Sequence, residues 1–216
     1  MSIDHYHIND IDIYIGGYED ISIESLSAQQ QADIASIKSE KQRRERELIY
    51  SLINHCATKE TGNYAYLNGA TLGHYSNGAP LIDLKSGVGK SIFISLSHCR
   101  VGACIAISDT ARDFGIDIEE ESEKLQRVKE KFINESESEF IGKSQLLLAW
   151  TIKEAVYKAA GISGLPLRDG IKIKSITNSS DPTVVKSGII VGEQNYEGWS
   201  IVEGRTSATL CYKMSV

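Results

Sequence analysis

Three short stretches of this chain carry residues whose types and spacing can do chemistry. In Gly115-Ile116-Asp117-Ile118-Glu119 the acidic and apolar residues alternate with the period of a β-strand. Asp117 and Glu119 therefore project to one side while Ile116 and Ile118 face a core. Two convergent carboxylates suit Mg²⁺, which prefers oxygen ligands and commonly takes only one or two from protein; solvated acids at the end of an amphipathic strand are the alternative. In Trp150-Thr151-Ile152-Lys153-Glu154-Ala155-Val156-Tyr157-Lys158, a rotation of about 100° per residue lines up positions 150, 154 and 158 on one helical face. Glu154 and Lys158 then stand side by side, an acid next to a base. The spacing alone also fits an ordinary exposed ion pair, but the apolar flanks favour burial, where charges need a reason. Finally, Ser95-Leu96-Ser97-His98-Cys99 closes a candidate strand. Adjacent Ser97 and His98 diverge on a strand, which argues against a Ser–His nucleophile pair. Both can still donate to a phosphate, and a structural turn histidine is the competing reading.

Several elements must position these residues. Ile11, Ile13 and Ile15 alternate within 8–18, as in a half-buried strand. A polar helical stretch begins near Ser27 and runs to Cys56, with Leu48, Ile49, Leu52 and Ile53 forming a core face in its second half. Lys38, Lys41, Arg43, Arg44 and Arg46 precede that face. Turns dominate 62–90, with Asn68-Gly69 and Asn77-Gly78 as markers. Strands are expected at 91–97, 101–108 and 114–119, a charged helix at 122–132, and a strong helix at 145–160 that Gly161 and Pro166 stop. Strand patterning returns at 171–176, 183–192, 198–204 and 208–214. Strands on both sides of a long helix, without βαβ alternation, indicate an α+β fold. Gly87-Val88-Gly89-Lys90-Ser91 imitates the end of a P-loop, but Leu84 stands where its first glycine is required, and strand-like residues come next where a helix is required. A surface turn is the better reading.

Composition sets the bounds. The chain has 216 residues, 41% of them hydrophobic and 24% charged, enough for one large domain or two smaller halves and too apolar for a disordered chain. No apolar run approaches the roughly 20 residues of a membrane helix. The first residues carry Asp4 and no basic cluster, so they do not read as a signal peptide. A net charge of −6 argues against nucleic acid as a partner, though not against one anion in a local basic pocket. Cys56, Cys99, Cys104 and Cys211 show neither a C-x-x-C pair nor zinc-finger spacing. Reduced thiols in a cytoplasmic protein are expected.

SLSHC, FGIDIE and WTIKEAVYK, in this order and at this spacing, resemble the motifs of the 4′-phosphopantetheinyl transferases, in particular the longer Sfp-type branch. The resemblance is clearest over 91–165. It implies two similar α+β halves related by a pseudo-two-fold, 1–109 and 110–216, with coenzyme A between them and a monomeric protein. It implies transfer of 4′-phosphopantetheine from coenzyme A to a serine of an apo acyl or peptidyl carrier protein, the holo-acyl-carrier-protein synthase reaction. Asp117, Glu119 and Glu154 would hold Mg²⁺, and Glu154 and Lys158 would be catalytic, with Glu154 or a metal-bound water as the base. Arg44, Ser97, His98, Asp117, Lys153 and Lys158 would contact the coenzyme, His98 at its 3′-phosphate. Carriers of this class are acidic, which makes the basic helix with Lys124, Arg127, Lys131 and Phe132 the docking candidate. Two positions depart from the family pattern: Ala79 replaces the usual lysine of an Asn-Gly-Lys-Pro turn, for which Lys85 or Lys90 could substitute, and Cys99 replaces a common serine. An Mg²⁺-dependent phosphohydrolase or nuclease, and a non-catalytic coenzyme A-binding relative, are the rival readings.

Overall fold

The structure is a computed structural model that describes residues 3–58, 64–84 and 91–215. The chain divides into two compact units, Met1–Arg112 and Asp113–Val216. Both are built from antiparallel sheet with helices, as an α+β fold requires. No helix among the described residues is long and apolar enough to cross a membrane.

In the first unit, β1 (Asp4–Ile8) and β2 (Ile11–Gly17) form a hairpin where the pattern suggested one strand. Its two loop residues, Asn9 and Asp10, both have positive φ (47° and 59°), the geometry of a tight two-residue hairpin loop that Asn and Asp tolerate best. The expected single helix from Ser27 to Cys56 is instead two: α1 (Ala28–Ser36) and α2 (Glu40–Thr58). Ile37 turns extended after α1, and the Ser39 hydroxyl accepts from the Gln42 amide at the start of α2. A serine that satisfies the first free amides restarts the helix rather than continuing it. Asp33 then ties the two helices, accepting from Arg46 at 2.9 Å and from the Tyr50 hydroxyl at 2.6 Å. The apolar face of α2 (Leu48, Leu52 and Ile53, all fully buried) packs on the sheet. A hairpin that the turn-rich composition hid, β3 (Thr71–His74) and β4 (Pro80–Asp83), reverses at Asn77-Gly78 with Gly78 at φ 85°. Most of the P-loop imitation, with Lys85 and Lys90, lies outside the described residues. The next described element is β5 (Phe93–His98), a strand and not a helix. With β6 (Gly102–Ser108) it completes a sheet of order β1-β2-β6-β5.

The second unit opens with β7 (Phe114–Glu120). The charged segment forms only a short α3 (Glu123–Val128) capped by Ser122 and a 3₁₀ turn over Lys129–Lys131. A further turn, α4 (Glu135–Ser138), closes a capping box on Asn134. The strong helix is α5 (Leu146–Ala160), ended by Gly161 in the left-handed region at φ 62°, where a glycine avoids the Cβ penalty. Four strands complete the unit, β8 (Ile171–Asn178), β9 (Val184–Val191), β10 (Gln194–Glu203) and β11 (Thr206–Lys213), in a sheet of order β7-β11-β10-β9-β8. Although last in sequence, β11 sits beside β7, with Thr209 opposite Asp117 and Ser207 opposite Glu119. The α5 helix packs on β7 and β11, which brings the two acidic motifs into one unit.

Candidate active site

A glycine sets how closely α5 approaches β7. A Cβ at Gly115 would meet Ala159 N at 2.6 Å and Lys158 Cβ at 2.7 Å, and Ala155 O closer still. Two of those atoms are backbone and cannot swing away. Gly115→Ala is expected to lower stability by about 1–3 kcal/mol, the usual cost of overpacking. Circular dichroism melting checks this, and an unchanged melting temperature would show that the helix can retreat at no cost.

Across this close seam, the Lys158 ammonium donates to Asp117 Oδ1 and to the Ile116 carbonyl, both at 2.8 Å. Asp117 is buried, and Glu119 and Glu154 are half-buried. Burial pushes the Glu154 carboxyl above its ordinary range, and the charges of Asp117 and Glu119 push it further; Lys158 opposes them. Burial does the same to Glu119, reinforced by Asp117 and opposed by the Glu120 amide, Lys158 and the Trp150 side chain. Asp117, Glu119, Glu154 and Lys158 therefore share one electrostatic site, with three acids around one base.

Among the described residues, no three His, Cys, Asp or Glu side chains surround one point at metal-holding geometry. The donor chemistry still fits a hard divalent cation: the site offers three carboxylates, with no thiolate or imidazole among them, the neighbouring acids raise the proton affinity of Glu119 and Glu154, and added positive charge would relieve that repulsion.

The structure does not bring Lys153 to this group. Its ammonium is completely buried and donates to Glu137 Oε2 at 2.7 Å and to the carbonyls of Leu167 and Ile171 at 2.9 Å. Glu137 is also completely buried, and it accepts from the amides of Asn134 and Ile173. The expectation of Lys153 as a coenzyme contact is corrected: one residue along a helix is a turn of about 100°, enough to aim it into the core. Phe132 is a second correction. It is fully buried, packed edge-to-face on Trp150 with ring centroids 5.1 Å apart, so it cannot dock a partner. Lys124, Arg127 and Lys131 are exposed.

Within the first unit, one of the remaining candidates stands beside Glu45. His98 Nδ1 lies 3.4 Å from Glu45 Oε1. The Arg44 guanidinium stacks over the Tyr18 ring at 5.4 Å, and the Tyr18 hydroxyl donates to the Cys99 carbonyl. Ser97 is half-buried on β5, and no disulfide joins the four cysteines. Sequence reasoning gave no role to Gly115, Glu45, Tyr18 or Glu137. Only Gly115 carried a usable signal, since a glycine inside a strand often marks close backbone approach.

Residues 113–211 match the family model of the 4′-phosphopantetheinyl transferase superfamily (ACPS). No curated protein matches the chain.

Proposed function

From the match over 113–211, we propose that this protein transfers the 4′-phosphopantetheine group of coenzyme A to a serine hydroxyl of an apo acyl or peptidyl carrier protein, releasing 3′,5′-ADP. The Sfp-type relation, the pseudo-two-fold of the halves, the monomeric state and the cytoplasmic location belong to the same proposal. The observation that carries it is the Lys158–Asp117 pair set among Glu119 and Glu154 inside the matched segment. Phosphoryl transfer asks little covalent chemistry of a protein and much positioning and charge compensation. In this reading Asp117, Glu119 and Glu154 hold Mg²⁺, which supplies positive charge to the pyrophosphate when bound.

The chain's own groups do the rest. Lys158 bonds the departing 3′,5′-ADP phosphate as its charge grows. The serine proton goes to a water beside the carboxylates or to Glu154, the poorer base of the two once its carboxylate is engaged on a metal. Arg44, Ser97 and His98 meet the coenzyme's phosphates, and the exposed bases Lys124, Arg127 and Lys131 face an acidic carrier. Lys158→Ala is expected to cut kcat by roughly a hundredfold to a thousandfold while changing the KM for coenzyme A much less, because its interaction strengthens in the transition state. Steady-state kinetics against coenzyme A separates the two, and a change confined to KM would remove the assigned role.

Intact mass of an apo carrier after incubation with coenzyme A, Mg²⁺ and the protein tests the function. The expected result is the gain of one phosphopantetheine, with 3′,5′-ADP formed only when the carrier is present. Coenzyme cleavage without a carrier would favour a phosphohydrolase, and coenzyme binding without carrier modification would favour a non-catalytic relative, the reading that Ala79 motivates.

A further inference from the structure

A chain of buried hydroxyls runs between α5 and the sheet beside the carboxylates. Thr151 Oγ1 lies 2.8 Å from Thr209 Oγ1 and 3.1 Å from Ser207 Oγ, and Thr209 Oγ1 lies 2.8 Å from Ser200 Oγ. Thr151, Thr209 and Ser200 are completely buried, and Ser207 is 1% exposed. Thr151 also bonds the Leu148 carbonyl at 3.1 Å. Four polar side chains in the interior are unusual unless they satisfy one another, as these do.

Their placement tracks the acidic site residue by residue. On β11, Thr209 is the cross-strand partner of Asp117 and Ser207 that of Glu119, so each hydroxyl shares a sheet face with one carboxylate. On α5, Thr151 precedes Glu154 by three residues and Lys158 by seven, the spacing of a single helical stripe. One end of the hydroxyl chain therefore belongs to the helix that carries Glu154 and Lys158. The other belongs to the strand paired with the one that carries Asp117 and Glu119. Apolar packing alone permits small sliding of a helix over a sheet, whereas hydrogen bonds fix direction as well as distance.

We propose that Thr151, through its bonds to Thr209 and Ser207, is a positioning residue that sets the register of α5 on β7 and β11, so that Glu154 and Lys158 on the helix meet Asp117 and Glu119 on the strand. The inference rests on the proposed phosphopantetheinyl transfer for its activity readout, and on the carboxylates alone for its binding readout. Thr151 itself touches no substrate.

The experiment compares Thr151→Val, which keeps the shape and removes the hydroxyl, with Thr151→Ser, which keeps the hydroxyl. Ile173→Val, a core truncation on β8, serves as a control for simple loss of stability. Each is titrated with Mn²⁺ in the absence of coenzyme and assayed for carrier modification, with melting temperatures recorded. Thr151→Val is expected to lose about tenfold in Mn²⁺ affinity and about tenfold in kcat, with KM for coenzyme A within about twofold. Thr151→Ser and Ile173→Val are expected to stay near wild type in both. If Thr151→Val does not fold, Thr209→Val cuts the same chain from the strand side and is read in the same way. Wild-type Mn²⁺ affinity and turnover in Thr151→Val would overturn the inference, as would equal losses in Thr151→Ser or Ile173→Val. A wild-type protein that binds Mn²⁺ but modifies no carrier overturns the proposed function and leaves the positioning role decided by the Mn²⁺ titrations; one that binds no Mn²⁺ overturns the positioning role and leaves the proposed function decided by carrier modification.

Discussion

Glu154→Gln is expected to raise the melting temperature of the protein in chelator by a few degrees and to lower carrier modification by roughly a hundredfold to a thousandfold. The two effects have one origin. Glu154 is half-buried with Asp117 and Glu119 close by, and its carboxyl is held above the ordinary value by burial first and by those charges second. The folded state therefore holds that proton more tightly than the unfolded chain does. As pH rises through the raised pKa, the ionised form costs the fold stability that the unfolded chain does not lose. Glutamine carries no charge and removes this cost while keeping the shape. The gain in melting temperature is expected at pH 7 and is expected to vanish near pH 3, more than a unit below the ordinary glutamate value of about 4.3, where both states are protonated. The same substitution removes a carboxylate that the proposed reaction needs. Melting curves in chelator at the two pH values, with carrier modification followed by mass, check both halves. A Glu154→Gln protein that is less stable at pH 7 would show that the carboxylate is held by partners and not strained by its neighbours.

The second large effect concerns Lys153. Lys153→Met is expected to destabilise the protein by about 3–5 kcal/mol, because it strands the completely buried Glu137 carboxylate. At about 2–4 °C per kcal/mol for a chain of this size, the melting temperature falls by roughly 10 °C. Adding Glu137→Gln should recover the greater part of the loss. The glutamine still offers an oxygen to the Ile173 amide, and no buried charge remains. Recovery is incomplete, since the Leu167 and Ile171 carbonyls lose a donor. Thermal or urea melts of the single and double variants form the test. Should Lys153→Met melt like the wild type yet bind coenzyme A poorly, Lys153 would be the coenzyme contact that the motif resemblance implied, and its burial would have to be relieved on binding.

Both predictions draw on one nine-residue stretch, and they mark how far sequence reaches. Local periodicity determined that Asp117 and Glu119 share a strand face and that Glu154 and Lys158 share a helical face, because those relations depend only on the repeat of a regular backbone. It also placed the core strands and the end of α5 at Gly161, where backbone preferences act within a few residues. It overran the helix from Ser27 to Cys56, where the Ser39 cap competes with helix continuation, and it missed the short β3–β4 hairpin inside a turn-rich segment.

What tertiary structure decided was the surroundings into which each face points. The helical repeat turns Lys153 away from Glu154, yet it cannot say whether that direction is water or core. The packing of Glu137, from a turn sixteen residues earlier, and of the Ile171 carbonyl on β8 makes it core. Phe132 read as part of an exposed basic helix until Trp150 covered it. Pairing of the last strand with β7 put Thr209 beside Asp117 and Ser207 beside Glu119, partners about ninety residues apart. Such contacts arise from which surfaces exclude water together, and no local repeat records them. The residue types and spacing of the site were therefore written in the sequence, while its depth, charge balance and bracing came from packing.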